Sequence, residues 1–310
     1  MTAETPWEGA LCRLERILER AEGLLPGRGT TAPDPSAFES HWAFRWERSG
    51  ESGRIAPVAH PHRVDLSDLV GIDAAKEELL RNTAQFVDGY PANHVLLWGE
   101  RGTGKSSCVK GLLKVFGPRG LRIVELARWD LFSFPKIARQ LRDLPFRFVL
   151  YCDDLSFDEG EADFRGLKTL LDGGLEERPE NVLIYATSNR RHLMPEKRLE
   201  LGAEDEIHPE EAVSEKLSLS DRFGLQLGFY RFDQDTYLRV VESYARRLRI
   251  PIGPETLREE ALRWALSAGS RSGRAALARF QVEDVRRRAQ RGKVDRVAAD
   301  LELKVGIGAV

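Results

Sequence analysis

The sequence predicts an α/β fold in which helices cover both faces of a parallel sheet, followed by a small domain made only of helices. Five short apolar runs follow one another, at residues 94–98, 122–126, 147–152, 181–187 and 225–230. The first four are separated by segments long enough for a helix, which is typical of strands buried in a parallel sheet. After Arg231 no strand pattern remains, and three helices are predicted over residues 233–248, 254–267 and 273–291.

The chain before this sheet is predicted to form shorter pieces. Apolar residues at helical spacing predict an amphipathic helix over residues 7–25, and a Gly- and Pro-rich linker follows over residues 26–36. Aromatic residues at every second position of residues 42–46 predict a short half-buried strand, whereas residues 47–61 are predicted to be irregular. The predicted domains are residues 1–62, an α/β core over residues 63–231 and a helical domain over residues 232–310.

Composition limits the class of protein. The chain has 310 residues, of which 42% are hydrophobic and 31% are charged, and the net charge is −2. This balance gives no general argument for binding nucleic acid or an acidic membrane. The three cysteines show no metal-ligand spacing, which favours a reducing compartment. Because no signal peptide and no bilayer-spanning apolar run is recognisable, we expect a cytoplasmic protein.

A glycine-rich loop follows the first predicted strand. Residues 99–106 read GERGTGKS and fit the phosphate-binding pattern G-x-x-x-x-G-K-[ST], with a predicted helix after it. Glycines let backbone N–H groups face a phosphate, and the helix N-terminus adds a positive dipole end. Lys105 reaches the β- and γ-phosphates, and the Ser106 hydroxyl binds Mg²⁺. The predicted ATP site comprises Gly99, Glu100, Arg101, Gly102, Thr103, Gly104, Lys105, Ser106 and Ser107.

Two acids end the third predicted strand, about 48 residues after the lysine. The apolar run 148–152 is followed by Asp153 and Asp154, which is the Walker B pattern of nucleotide-hydrolysing proteins. Asp153 is predicted to hold Mg²⁺, and Asp154 is predicted to orient the attacking water. Glu159 and Glu161 lie nearby in sequence and remain alternatives for the second role.

Polar residues after two later elements are candidates for sensing the γ-phosphate. Asn189 follows the fourth predicted strand, next to the strand that carries the two acids. Arg274 lies at a helix start in the C-terminal domain, from which an arginine can fold over the γ-phosphate. Arg271 precedes it by three residues and leaves the choice between the two open.

These motifs, in this order, resemble those of the AAA+ ATPase superfamily over residues 65–291. At the position of Asp154, most members of that superfamily have Glu. The side chain of Asp154 is therefore one methylene shorter than the usual one. Longer strings resemble a bacterial AAA+ family catalogued as domain of unknown function eight-one-five; they are VAHPH (58–62), CDDLSF (152–157), ATSNRRH (186–192) and FDQDTY (232–237). The resemblance implies a five-stranded parallel sheet of order 5-1-4-3-2 with a C-terminal helical lid.

The resemblance also implies further site residues. It places adenine between the two domains near residues 69–72, with Val70 and Ile72 in contact. It implies an oligomer in which Arg222, in a string similar to one in replication-initiator ATPases, reaches the nucleotide of the next subunit. The alternative for Arg222 is a surface residue paired with Asp221.

Several interpretations stay open from sequence. Trp129, Phe132 and Phe134 follow the second strand, where translocating AAA+ proteins grip substrate with an aromatic residue, but core packing is favoured here. The basic run 286–291 is predicted to be a solvated face, although nucleic-acid contact is possible. The favoured function is a Mg²⁺-dependent ATPase that remodels an unknown macromolecular partner. The alternatives are a nucleotide-dependent binding switch with little hydrolysis and a P-loop kinase.

Overall fold

The computed structural model describes residues 34–50, 52–156, 171, 179–191, 220–250 and 252–277. Within them, the strands are β1 (Ala43–Ser49), β2 (Ser52–Pro57), β3 (Val95–Gly99), β4 (Leu121–Leu126), β5 (Arg147–Cys152), β6 (Val182–Ser188) and β7 (Leu225–Phe229). The helices are α1 (Pro35–Ser40), α2 (Asp73–Val87), α3 (Lys105–Phe116), α4 (Phe134–Leu141), α5 (Gln234–Arg247) and α6 (Pro254–Ser267). The predicted helix over 7–25, Glu159, Glu161 and the basic run 286–291 lie outside the described residues.

One mixed sheet contains all seven of these strands, in the order β2-β1-β4-β5-β6-β3-β7. Neighbouring strands are parallel, except for β1 and β2, which are antiparallel. The predicted count of five was therefore wrong, and the order runs two strands further than predicted. The five strands expected from sequence are β3 to β7, and they lie in the order 5-1-4-3-2 within the longer sheet.

The two additional strands form a hairpin at the edge of the sheet beside β4. The half-buried strand predicted over residues 42–46 corresponds to β1, in which Phe44 and Trp46 are buried and Arg45 is exposed. The prediction of irregular structure for residues 47–61 was wrong, because β1 continues to Ser49 and β2 pairs with it. This part of the hairpin has few apolar residues, and its outward-facing side chains are charged, so its sequence lacks the usual strand alternation.

Apolar side chains of alternate strand residues enter two cores, one on each face of the sheet. Val95 and Leu97 of β3 pack in the core that contains α2 and α3. Leu96, between them, packs on the opposite face in the core that contains α1 and α4. Because β3 and its neighbour β6 are covered on both faces, their near-continuous apolar sequences are explained.

Helix boundaries follow recognisable signals. The Asp233 side chain accepts a hydrogen bond from the Thr236 amide at 2.7 Å and so caps α5. Pro254 occupies the first turn of α6, where its missing N–H is not needed. The predicted helix over 273–291 begins at residue 273 and is described only to residue 277. None of the helices in the described ranges is both long and apolar enough to cross a bilayer.

The aromatic residues after β4 differ in their environment. Phe134 is buried, as the core-packing interpretation requires. Trp129 and Phe132 are 67% and 51% exposed, so that interpretation was wrong for these two. They lie in the 3₁₀ turns of residues 128–133, where an eclipsed three-residue repeat places them on the outer side of the chain.

Candidate functional site

The glycine-rich loop joins the end of β3 to the start of α3. Its glycines have φ angles of 128° at Gly99, 75° at Gly102 and 106° at Gly104, in the region that disfavours residues with a Cβ. A Cβ at Gly99 would lie only 2.0 Å from the backbone oxygen of Phe229 at the end of β7. The Glu100 amide donates to that same oxygen at 2.9 Å. The loop therefore has its conformation because it lies directly against the neighbouring strand.

Lys105, the first residue of α3, is only 7% exposed. Its ammonium donates to the backbone oxygens of Gly99 and Glu100, both at 2.7 Å, and to Oδ1 of Asn189 at 3.2 Å. Burial lowers the pKa of Lys105 to about 8, although the carboxylates of Asp154 and Asp153 act in the opposite direction. A phosphate at this point would meet a cation that is already held in place.

Asp153 follows β5 and lies beside the start of α3. Its Oδ1 accepts hydrogen bonds from the hydroxyls of Ser106 at 2.7 Å and Thr187 at 2.6 Å. Burial by itself raises the pKa of Asp153, but hydrogen bonds, first among them those from Thr187 and Ser106, together with the charge of Lys110 hold the pKa below its usual value. A carboxylate and a hydroxyl are the hard oxygen ligands that Mg²⁺ prefers, so Asp153 and Ser106 fit this ion.

Asp154 has an unusual backbone conformation, with φ at 56°. Its amide donates to the Thr187 hydroxyl at 2.9 Å, and its Oδ1 accepts from Nδ2 of Asn189 at 2.5 Å. Since Asn189 also accepts from Lys105, its side chain connects the cation to the second acid. The predicted Walker A, Walker B and sensor residues therefore come together at the carboxyl ends of β3, β5 and β6.

A cavity of about 530 Å³ opens over these groups. Its polar end is lined by Arg101, Gly102, Thr103, Gly104, Lys105, Ser106, Ser107, Asp153, Asp154, Thr187 and Asn189. Gly99 and Glu100 shape the loop from behind and are not among its lining residues. Its other end is mainly apolar and is lined by Leu69, Val70, Ile72, Phe232, Val240, Tyr244 and Leu277, with Asp68. This volume is within the range of sites for drug-sized ligands and cofactors.

The C-terminal domain contacts the glycine-rich loop directly. The Gly273 amide donates to the backbone oxygen of Gly102 at 3.0 Å. Arg274 follows this contact and lines the cavity, whereas Arg271 lines a separate surface hollow with Phe232. Of the two arginines that the sequence left open, Arg274 is therefore the one next to the phosphate end.

Arg222 is placed differently from the other candidates. It lies three residues before β7, at the amino end of that strand, whereas the glycine-rich loop follows the carboxyl end of β3. The five residues of β7 span roughly 13 Å. Arg222 is not among the residues that line the cavity of its own chain.

Sequence reasoning missed several lining residues. Thr187 is one of the small polar residues at the end of a strand that is otherwise mainly apolar, and the only signal was this place beside Ser188. Phe232, Val240 and Tyr244 lie in the C-terminal domain, where helical periodicity predicts a buried face but not which part of it meets the cavity.

Comparisons with known proteins agree with this architecture. The family model described as "Protein of unknown function (DUF815)" matches residues 39–285. The Thermotoga maritima RuvB Holliday junction branch migration motor superposes with a TM-score of 0.50 at 19% sequence identity, covering 77% of this chain and 70% of RuvB. A mutant of the same RuvB gives a TM-score of 0.51 at 18% identity, covering 75% of this chain and 67% of RuvB.

The likeness to RuvB establishes an AAA+ P-loop α/β fold. No curated protein sequence matched the chain. Because the family model spans most of its length, the chain belongs to the DUF815 family.

Proposed function

We propose that the protein binds ATP with Mg²⁺ in this cavity and hydrolyses it to drive conformational change in a macromolecular partner. One observation carries the proposal, namely a continuous chain of hydrogen bonds at the polar end of a nucleotide-sized cavity. The chain comprises Ser106, Asp153, Thr187, Asp154, Asn189 and Lys105. It combines a cation for phosphate, oxygen ligands for a metal and an acid for water.

Each group has a role that follows from its chemistry. Lys105 and the amides at the start of α3 bind the phosphates, which the helix dipole also favours. Ser106 and Asp153 hold Mg²⁺, which when bound neutralises charge on the phosphates. Val70 and Ile72 contact the adenine at the apolar end of the cavity.

Asp154 and Asn189 face the position where hydrolysis takes place. Asp154 accepts a proton from the attacking water or orients it, as a carboxylate in hydrogen-bond reach can do. Asn189 contacts both Asp154 and Lys105, so it can respond to the γ-phosphate and change the orientation of the acid in the same movement.

Two arginines complete the site from outside the core. Arg274 approaches the phosphates from the C-terminal domain of the same chain. Arg222, at the other end of the sheet, is assigned to the nucleotide of a neighbouring subunit in a homo-oligomer, where an arginine offsets charge in the transition state.

Phosphate release and calorimetric nucleotide titration of the purified protein test the main proposal. We expect Mg²⁺-dependent release of phosphate from ATP and loss of that release in EDTA. An empty site in a titration with magnesium-ATP would refute the proposal. Phosphate transferred to a small molecule instead of water would favour the P-loop kinase.

The assignment of Arg222 is tested by mixing two inactive variants. Arg222→Ala alone should keep nucleotide binding and lose turnover by roughly 1000-fold. Mixed with Lys105→Ala, it should regain activity, because some interfaces then combine an intact lysine with an intact arginine. If the mixture stays inactive while co-assembly is demonstrated, Arg222 does not act between subunits.

A nucleotide-dependent switch with little hydrolysis is the second candidate. One observation favours it, since Asp154 is shorter than Glu and its carboxylate is already hydrogen-bonded to Asn189. Asp154→Glu separates the two functions. A slow wild type whose turnover rises strongly in the variant would favour the switch, whereas a wild type that already hydrolyses ATP and a variant that is no faster would favour a competent ATPase.

An exposed pair of aromatic residues is a candidate for the surface that contacts the partner. Trp129 and Phe132 are exposed beyond the carboxyl end of β4, on the same side of the sheet as the nucleotide cavity. Exposed aromatic residues are enriched in binding surfaces. We assign Trp129 and Phe132 to the contact with the macromolecular partner. The segments that follow β4 and β5 couple this pair to the nucleotide cavity.

A further inference from the structure

Thr187 contacts both acids of the proposed ATPase site. It lies on β6, is 1% exposed and makes three hydrogen bonds to the segment that follows β5. Its hydroxyl donates to Oδ1 of Asp153 at 2.6 Å and accepts from the amide of Asp154 at 2.9 Å. Its backbone oxygen accepts from the amide of Leu155 at 2.7 Å. One residue therefore fixes three successive residues of the neighbouring segment.

The directions of these bonds follow from the groups themselves. An ionised carboxylate only accepts, so the Thr187 proton must go to Asp153. A backbone amide only donates, so the second bond uses a lone pair of the hydroxyl. A hydroxyl can do both at once, whereas a methyl group of the same size can do neither. The requirement at this position is therefore chemical and not only one of volume.

The backbone conformation of Asp154 explains why the hydrogen bond from its amide to the Thr187 hydroxyl is important. Its φ of 56° lies in the left-handed region, which a residue with a Cβ adopts at a cost in free energy. The two backbone amides that flank the Cα of Asp154, its own and that of Leu155, both donate hydrogen bonds to Thr187. From this conformation the Asp154 carboxylate meets Asn189.

We propose that Thr187 is a positioning residue that sets the metal-binding acid and the water-orienting acid through a single hydroxyl. It acts through Asp153 and Asp154. The inference rests on the proposed ATPase function and adds a residue that couples the two acids. Removal of the hydroxyl should therefore affect Mg²⁺ affinity and turnover together.

Three variants test this role. Thr187→Val keeps the shape and removes the hydroxyl, and Thr187→Ser keeps the hydroxyl and removes a methyl group. Thr83→Val is the matched control, because Thr83 is also buried and its hydroxyl donates to the Leu79 oxygen and bonds the Tyr185 hydroxyl, away from the cavity.

Turnover is measured against Mg²⁺ concentration, and the affinity for a fluorescent ADP analogue is measured in EDTA and in Mg²⁺. For Thr187→Val we expect about a 10- to 100-fold loss in kcat and in the Mg²⁺-dependent part of ADP binding, as for other residues that hold metal ligands. Affinity in EDTA should stay within about threefold of wild type, because the lysine and loop are untouched.

Thr187→Ser should restore both quantities to within about fivefold of wild type, since it retains the hydrogen-bonding group. Thr83→Val should lower thermal stability without changing the Mg²⁺ dependence. A Thr187→Val protein with wild-type kcat and Mg²⁺ dependence would overturn the inference while leaving the ATPase proposal intact. A wild-type protein without Mg²⁺-dependent ADP binding or turnover would overturn both.

Discussion

The two ends of the nucleotide cavity are built in different ways. At the phosphate end, Lys105, Asp153 and Asn189 all follow the carboxyl ends of adjacent parallel strands, Lys105 after the glycine-rich loop, and they belong to one hydrogen-bonded set. At the base end, Ile72 precedes α2, whereas Val240 belongs to α5 of the C-terminal domain, and the contacts are apolar.

The sheet therefore determines the spacing of the residues at the phosphate end, whereas the packing of the helical lid determines the spacing at the base end. Residues at the ends of adjacent strands keep their spacing as long as the sheet is folded. Residues on two packed segments keep theirs only while the segments stay together. We therefore expect the phosphate end to control binding strength and chemistry, and the base end to control which phosphate compounds bind well.

Lys105→Ala should have the largest effect. It removes the buried cation at the phosphate end, so affinity for ATP and for inorganic tripolyphosphate should both fall by roughly 100-fold or more. Calorimetric titration measures both ligands. Lys114→Ala is the control, since Lys114 is on the same helix but exposed and paired with Asp65. Near-wild-type affinity for tripolyphosphate would contradict the assignment of Lys105 to the phosphates.

Asp154→Asn should separate chemistry from binding at the same end of the cavity. The amide keeps the size of the side chain but cannot take a proton, so turnover should fall by about 100-fold. Affinity for ATP should change by no more than about threefold, because Lys105 and the loop remain. Phosphate release and titration measure the two quantities. Asp88→Asn, in an ion pair with Arg119, serves as control.

The phosphate end was largely predictable from sequence for a physical reason. The glycine-rich loop is contiguous, and strand ends that carry Asp153 and Asn189 meet at one edge of a parallel sheet. Thr187 escaped prediction because the sequence gives no pattern that says which of the neighbouring hydroxyls, Thr187 or Ser188, faces the two acids. The base end was predicted only in part, as Val70 and Ile72, because which side chains of α5 meet them depends on how the two segments pack.

The edge hairpin and the turns after β4 show a second limit of prediction from sequence. Glu47 and Arg54 pair across β1 and β2, so the edge hairpin carries a cross-strand ion pair that the apolar pattern of a strand does not predict. Trp129 is apolar and yet exposed, and apolar character alone favoured burial. Sequence pattern reports which residues a protein buries, and it is least informative about the residues that stay exposed.

Ile72→Ala tests the base end directly. Ile72 is buried, and loss of roughly 60 Å² of apolar contact should weaken ATP and ADP binding equally, by about 10-fold. Affinity for tripolyphosphate should not change, which is the opposite of the Lys105→Ala result. Ile252→Ala, a partly buried residue packed on the same core, controls for lost stability. Weaker tripolyphosphate binding would mean that the two ends are not independent.

Gly273→Ala addresses a backbone contact that joins the lid to the phosphate end. A Cβ at Gly273 would lie 3.2 Å from the Gly102 oxygen, which the Gly273 amide also contacts, so the lid must move by a few tenths of an ångström. We expect kcat/KM to fall by about threefold, while thermal stability holds or rises because alanine favours a helix. Gly253→Ala is the control, since a Cβ there meets nothing within 4 Å. If both variants match wild type in kcat/KM, lid position does not control the phosphate end, and the two ends are coupled only through the nucleotide itself.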